Sequence, residues 1–253
     1  MKQKNDLLSH NEAVDNEKQP LLAHLNALRK LLMHCGIAIL VGFVGAFYFL
    51  CDPLMQFIIN PITARGIDII YTAVSEALTT QLKVSFVAGV VLVSPYLFYQ
   101  IWLFIKPALY EKEIRLFRIL FGIALVLFLL GIVFCYQYVY TLALNFFFVA
   151  GENLATPMLS IDKYIGFLFG FLLPFGIVFE LPVAIYMLAR IGWVDYQKLA
   201  TSRKFVFFGI FVLAAILTPP DMVSQCMLGI PMYLLFEVGI QVARFVSPKK
   251  REE

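Results

Sequence analysis

Charge is scarce in this chain. Only 15% of its 253 residues are Asp, Glu, Lys or Arg, where a soluble domain carries about 25%, while 61% are apolar or aromatic and the mean hydropathy is +0.83. That excludes an ordinary water-soluble domain and leaves a chain that lives in a bilayer. Histidine is nearly absent: His10, His24 and His34 all precede the second apolar run, so they cannot converge on a metal or triad site alone. Cys35, Cys51, Cys135 and Cys226 stand singly in or at the ends of apolar runs, and no CxxC exists. Thiolate–metal and thioredoxin-like chemistry are thereby excluded, and the thiols read as small packing residues. A Cys51–Cys135 bridge near the outer face stays open, without support from the spacing. There is no GxxxxGK[ST], no HExxH and no GxSxG, which removes a P-loop ATPase, a zinc protease and an α/β-hydrolase. The sequence therefore predicts no enzyme and no cofactor. The first twenty residues are polar and lack an apolar core segment, so no cleavable signal peptide is expected and the first apolar run serves as insertion signal. No internal repeat or low-complexity segment occurs.

What is present is a set of apolar runs. A membrane-crossing helix needs about 20 mostly apolar residues. Runs at 31–51, 84–105, 117–142 and 164–189 qualify, followed by shorter ones at 205–217 and 222–243 divided by Thr218-Pro219-Pro220-Asp221. The fifth run would reach only about 20 Å at 1.5 Å per residue, short of a core of about 30 Å, so it must thin the bilayer or shelter behind neighbours. The predicted fold is an all-α polytopic membrane protein of six helices, with a polar tail at 1–20, a membrane domain at 21–245 and a second tail at 246–253. The outer loops 52–83 and 143–163 are long enough for helical segments that cap the outer face.

Lys and Arg set the orientation. With the N-terminus inside, the inner segments hold Lys2, Lys4, Lys18, Arg29 and Lys30; Lys106, Lys112, Arg115 and Arg118; Arg190, Lys198, Arg203 and Lys204; and Arg244, Lys249, Lys250 and Arg251. Only Arg65, Lys83 and Lys163 fall outside. Both termini are thus expected in the cytoplasm, in a bacterial inner membrane.

Ionisable groups at bilayer depth are costly and mark function. Glu180 precedes Arg190 by about ten residues, roughly 15 Å of helix, and is bracketed by Pro174 and Pro182. It reads as a carboxylate facing a wet concavity, or as a protonated acid bonded to a neighbouring helix. Glu237 lies nearer the cytoplasm and suits a structural hydrogen bond or a role equally. Gln225 and Thr218 flank the Pro219-Pro220 turn, and Gln100 sits beside Trp102; their amides and hydroxyl can bond a visiting helix or be satisfied internally. Glu180 also leaves open a small-solute or ion transporter, although the repeated halves common in such proteins are missing.

Specific residues then carry a resemblance. His24-Leu25-Asn26-Ala27-Leu28-Arg29 is similar to the HLxELR element of the TatC family. Ser94-Pro95 with Gln100-Ile101-Trp102-Leu103-Phe104-Ile105-Lys106-Pro107-Ala108-Leu109-Tyr110-Glu111-Lys112-Glu113 resembles its SxP and QxWxFxxPaLyxxE block. Phe179-Glu180-Leu181-Pro182 resembles FExP, and Thr218-Pro219-Pro220-Asp221, Ser224-Gln225, Ile230-Pro231 and Phe236-Glu237 resemble the final hairpin. The resemblance covers about residues 21 to 245, in order. It implies the receptor and core subunit of a twin-arginine translocase, a concave glove-like six-helix bundle that binds twin-arginine signal peptides of folded precursors at the cytoplasmic face. It implies assembly with single-span TatA- and TatB-type subunits and with further copies of itself in membrane lipid, powered by the proton-motive force, with no nucleic acid. The implied signal-peptide site is Glu113 with Phe104, Leu109, His24, Leu28 and Arg29. Thr218, Gln225 and Glu180 are implied as docking positions for a partner helix, and Pro219, Pro220, Asp221 and Glu237 as turn or structural polar residues.

One departure stands out. The family's N-terminal element carries Glu where this chain has Ala27. A guanidinium pairs best with a carboxylate in a bidentate fork, so one expected arginine partner is missing. Glu12, Glu17 or Glu111 could replace it, or the site rests on Glu113 alone.

Overall fold

Long uninterrupted runs of Leu, Ile, Val, Phe and Ala leave the backbone nowhere to satisfy its polar groups except within helices. The computed structural model describes the backbone of residues 2–108, 111–151, 158–218 and 221–246, and the side chains from Leu25 onward except Ala108, Lys112 and Val246. The helices are α1 (Lys2–Phe49), α2 (Cys51–Thr63), α3 (Glu76–Ile105), α4 (Glu111–Phe134), α5 (Thr141–Gly151), α6 (Ile161–Val178), α7 (Leu181–Ile191), α8 (Tyr196–Thr201), α9 (Arg203–Leu217) and α10 (Met222–Val246). A 3₁₀ turn at Lys106–Ala108 follows α3, and a π-helical segment at Cys135–Tyr140 joins α4 to α5.

Among the described residues five stretches are long and apolar enough to cross a membrane: Leu25–Phe49, Glu76–Ile105, Glu113–Gly151, Ile161–Ile191 and Met222–Phe245. The α9 helix has 15 residues, about 22 Å, and falls below that length. The third stretch runs past the expected end at residue 142 to Gly151, because the π segment continues the helix; there Thr141 Oγ1 donates to the Tyr136 carbonyl five residues back at 3.0 Å. The fourth, expected as one span over 164–189 kinked by its two prolines, divides at Phe179–Glu180 into α6 and α7. Pro174 is absorbed inside α6, whereas Pro182 sits in the first turn of α7, where its missing N–H has no helical partner to lose. Gly192 ends α7 at φ 84°, its N–H reaching the Ala189 carbonyl while Trp193 N–H reaches Leu188. The left-handed conformation that closes such a helix end suits glycine.

The all-α expectation needs one amendment. Asp68–Ile70 (β1) and Met158–Ser160 (β2) form a two-stranded parallel sheet in register Asp68 to Met158. Each strand has three residues, too few to show alternation in sequence. The sheet joins the two loops expected on the outer face. Lys83 Nζ meets Asp162 Oδ1 at 2.5 Å, Arg65 donates to Asn145 at 2.7 Å, Ser160 Oγ donates to Glu76 at 3.2 Å and the Tyr164 hydroxyl donates to the Ile58 carbonyl at 2.8 Å. Cys51 and Cys135 are buried as free thiols, and Cys35 and Cys226 are free as well.

Packing concentrates in two places. Phe171, Phe175, Phe179, Leu228, Met232, Phe236 and Ile240 form the core between α6, α7 and α10. The α1 and α3 helices approach so closely at Gly42 and Gly89 that a Cβ on Gly89 would lie 2.6 Å from Phe43 N and 2.7 Å from Gly42 C. Small residues permit such backbone contact, the usual basis of helix association in lipid.

Candidate functional site

The end of the bundle that carries the α3–α4 connection is built by that same crossing. Counting from Gly42 back to Arg29 and from Gly89 on to Phe104 gives about 20 Å and about 22 Å of helix. Two helices running in opposite senses therefore deliver Leu28, Arg29 and Phe104 to one end. Leu28 and Arg29 are exposed, as is Ala27 between Leu25 and Leu28. Phe104 is half-buried near the end of α3. The Trp102 ring is buried and meets Phe121 edge-on at 5.5 Å between centroids, and Phe117 is fully buried one turn earlier in α4. Those aromatics fix the start of α4 against the end of α3.

Glu111 and Glu113 occupy the first turn of α4. The positive end of the helix dipole favours carboxylates there, by roughly 0.3–1 kcal/mol each when exposed. Glu111 is exposed and Glu113 half-exposed, and among the described residues neither carboxylate has a hydrogen bond or ion pair. An unengaged carboxylate, preorganised on a helix start, can receive a guanidinium in a forked, charge-assisted contact. The structure thus brings Leu28, Arg29, Phe104 and Glu113 to one end of the bundle. Leu109 lies outside the described residues, as does the His24 side chain.

The second group of sequence-derived positions divides. Thr218 is buried and its hydroxyl donates to the Ala214 carbonyl at 2.8 Å, so it is satisfied within α9. Asp221 caps α10, its Oδ1 accepting from Ser224 N–H at 2.7 Å, the usual way an aspartate completes a helix start. Gln225 is half-buried one turn further and its side-chain amide has no partner among the described residues. Met222 and Cys226, to either side of it in sequence, line an apolar groove of about 720 Å³ that also touches Tyr138 and Leu142. Pro219 and Pro220 lie outside the described residues.

Glu180 sits in the break between α6 and α7. It is half-buried, its carboxylate lies against the Phe128 backbone, and Oε1 is buried without a hydrogen-bond partner. Phe179 beside it packs so tightly on Gly131 that a Cβ there would come within 2.7 Å of its ring. Glu237 is not isolated: Arg203 Nη2 meets its Oε1 at 2.5 Å and ties α9 to α10. Sequence reasoning missed this pair because its members stand 34 residues apart and Arg203 reads as one more inner-loop cation. Gln100 is engaged too, donating to the Tyr96 hydroxyl at 2.5 Å. Among the described residues no group of three or more His, Cys, Asp and Glu could hold a metal ion.

Comparison with known proteins bears on this arrangement. The family model described as Sec-independent protein translocase protein (TatC) matches residues 23–231. The chain is 37% identical over 238 residues to the Sec-independent protein translocase protein TatC of Carboxydothermus hydrogenoformans, covering 94% of this chain and 98% of that protein. It is 37% identical to the protein of that name from Escherichia coli K12, covering 93% and 92%, and 38% identical to that of Aquifex aeolicus, covering 92% and 98%. The crystal structure of a Twin Arginine Translocase Receptor TatC superposes with a TM-score of 0.82 at 36% identity, over 88% of this chain and 99% of that one.

Proposed function

The chain belongs to the TatC family of Sec-independent protein translocases, and on that premise we propose that it is the receptor and core subunit of a twin-arginine translocase. It is a multi-pass membrane protein whose role is recognition and transport, not bond-making chemistry. The observation that carries the reading is the unengaged Glu113 carboxylate in the first turn of α4, at the end of the bundle where α3 brings Phe104 and α1 brings Leu28 and Arg29. Paired arginines of an incoming leader supply guanidinium groups to Glu113, while apolar leader residues lie on Phe104 and Leu109. Glu111, one residue from Lys112 and exposed, offers a second carboxylate where Ala27 gives none.

Titrating the purified protein with a twin-arginine leader and with its twin-lysine counterpart tests this. The arginine leader binds at least about tenfold more tightly, since Lys lacks the planar fork that matches a carboxylate. Equal affinity for the two leaders overturns the reading. In the same titration Ala27→Glu tightens arginine-leader binding by about ten- to hundredfold, the equivalent of one charge-assisted hydrogen bond of ~1.5–3 kcal/mol.

The finer topology is part of the proposal. The α9 helix, though short, crosses as the fifth of six spans, which places both termini in the cytoplasm of the bacterial inner membrane. The shortfall of α9 against a core of about 30 Å is met by α10, which packs on α9, and by local thinning of lipid. The domain division follows: a polar tail at 1–20, the membrane domain at 21–245 and a short tail at 246–253. Single-span TatA- and TatB-type subunits dock along α10, where Gln225 offers an amide beside the apolar groove, with Thr218 and Glu180 as further polar positions. A photoreactive residue at position 225 should crosslink to a single-span subunit in membranes; crosslinks to lipid alone remove this docking assignment.

A further inference from the structure

The corner between α7 and α9 is chemically unlike the α3–α4 connection. Both carry four cations, but two acids, Glu111 and Glu113, offset half of those in the latter. From Arg190 to Lys204 the chain holds Arg190, Lys198, Arg203 and Lys204 against a single acid, Asp195. Arg203 is engaged with Glu237, and Arg244 of α10 lies over the Tyr196 ring at 5.9 Å, which anchors the short α8. Arg190, Lys198 and Lys204 are exposed and have no ion pair or hydrogen bond among the described residues. This surface seeks an anion.

Its aromatic content says which kind. Trp193 is 74% exposed and Phe205 80% exposed, each within a few residues of these cations. Gly192, in its left-handed conformation, turns the chain so that Trp193 follows directly on the α7 terminus. A bare Trp and Phe among free cations would face water if the partner were an acidic soluble segment. At a membrane surface the rings enter the headgroup boundary, where amphipathic aromatics settle, and the cations meet phosphates.

We propose that the α7–α8–α9 corner binds the phosphodiester headgroup of an anionic phospholipid, with Arg190, Lys198 and Lys204 on the phosphate and Trp193 and Phe205 against the glycerol and upper acyl chain. The site is independent of leader recognition and needs only the membrane-spanning arrangement. It orients the α7–α9 end against the bilayer surface and restricts the occupant to lipid carrying net negative charge.

Native mass spectrometry of the delipidated full chain in neutral detergent tests it, with added phosphatidylglycerol, cardiolipin or phosphatidylcholine. The anionic lipids should be retained roughly thirty- to hundredfold better than phosphatidylcholine, as expected for two to three basic contacts near a membrane surface, and cardiolipin outranks phosphatidylglycerol if two phosphates are held. Lys198→Gln with Lys204→Gln removes most of that preference, whereas Lys163→Gln, an outer-end cation, leaves it intact. Equal retention of phosphatidylcholine, or an unchanged preference in the double variant, overturns the proposal. So does displacement of lipid by soluble polyglutamate, which would make the corner a protein-binding surface, or equal competition by free glycerol phosphate, which would make it a phosphate site without lipid selectivity.

Discussion

Replacing Glu113 by Ala should weaken binding of a twin-arginine leader by about a hundredfold. The carboxylate stands in the first turn of α4 with no protein partner among the described residues. Its removal therefore leaves the fold's own contacts in place and strips the receptor of its acceptor for a guanidinium. Two charge-assisted hydrogen bonds at ~1.5 kcal/mol each sum to about 3 kcal/mol, or roughly two decades of affinity. Glu113→Gln separates charge from shape: it keeps a hydrogen-bond acceptor and should retain only a small part of the affinity. Glu111→Ala is the informative neighbour, since its exposed carboxylate shares the helix start but takes the role of substitute for the missing acid at position 27. An isothermal titration with the purified protein reads all three. If Glu113→Ala binds the leader as tightly as the unsubstituted chain, the α4 terminus is not where the arginines go.

Replacing Gly89 by Leu should separate α1 from α3 and lower the thermal unfolding midpoint more than any surface change. A Cβ at this position would fall 2.6–2.8 Å from Phe43 N, Gly42 C and Phe43 Cα, all backbone atoms that cannot swing aside. The reciprocal contact is equally tight, with a Cβ on Gly42 placed 2.8 Å from the Gly89 carbonyl oxygen. Overpacking of this kind typically costs about 1–3 kcal/mol for a few extra atoms, and a leucine at a backbone-to-backbone crossing exceeds that range. Gly45→Ala is the control, because nothing lies within 4 Å of a Cβ there. The displaced helix also carries Leu28 and Arg29, so leader binding should fall together with stability. A Gly89→Leu protein with an unshifted midpoint would show that the α1–α3 crossing is not held by this contact.

How much of this was legible in the sequence depends on the distance over which each feature is written. Long apolar runs announce themselves locally: four of the five membrane-length stretches among the described residues contain the runs read at 84–105, 117–142, 164–189 and 222–243, and the first covers the run read at 31–51 as far as Phe49. The π segment was invisible because Cys135–Tyr140 inserts its extra residue without a glycine or proline to mark it. Pro182 foretold the break at Glu180, whereas Pro174, equally conspicuous, sits inside an unbroken α6. A proline in the first turn needs no donor, and the aromatic core around Phe171 and Phe175 holds the helix together through the other. Glu113 is an ordinary loop acid by itself; only the block of residues around it singled it out. The Arg203–Glu237 and Lys83–Asp162 pairs were beyond reach, since nothing in a single sequence tells which of several cations folds back to which acid.

The parallel pairing of β1 with β2 turns residues 71–157 into a ring: the chain departs from one strand, travels through α3, α4 and α5, and returns to the other. Lys83–Asp162 and the Tyr164–Ile58 contact fasten the same junction from neighbouring helices. Once closed, that ring no longer depends on covalent continuity at its far side. A scission in the α3–α4 connection would leave two fragments buckled together at the opposite end.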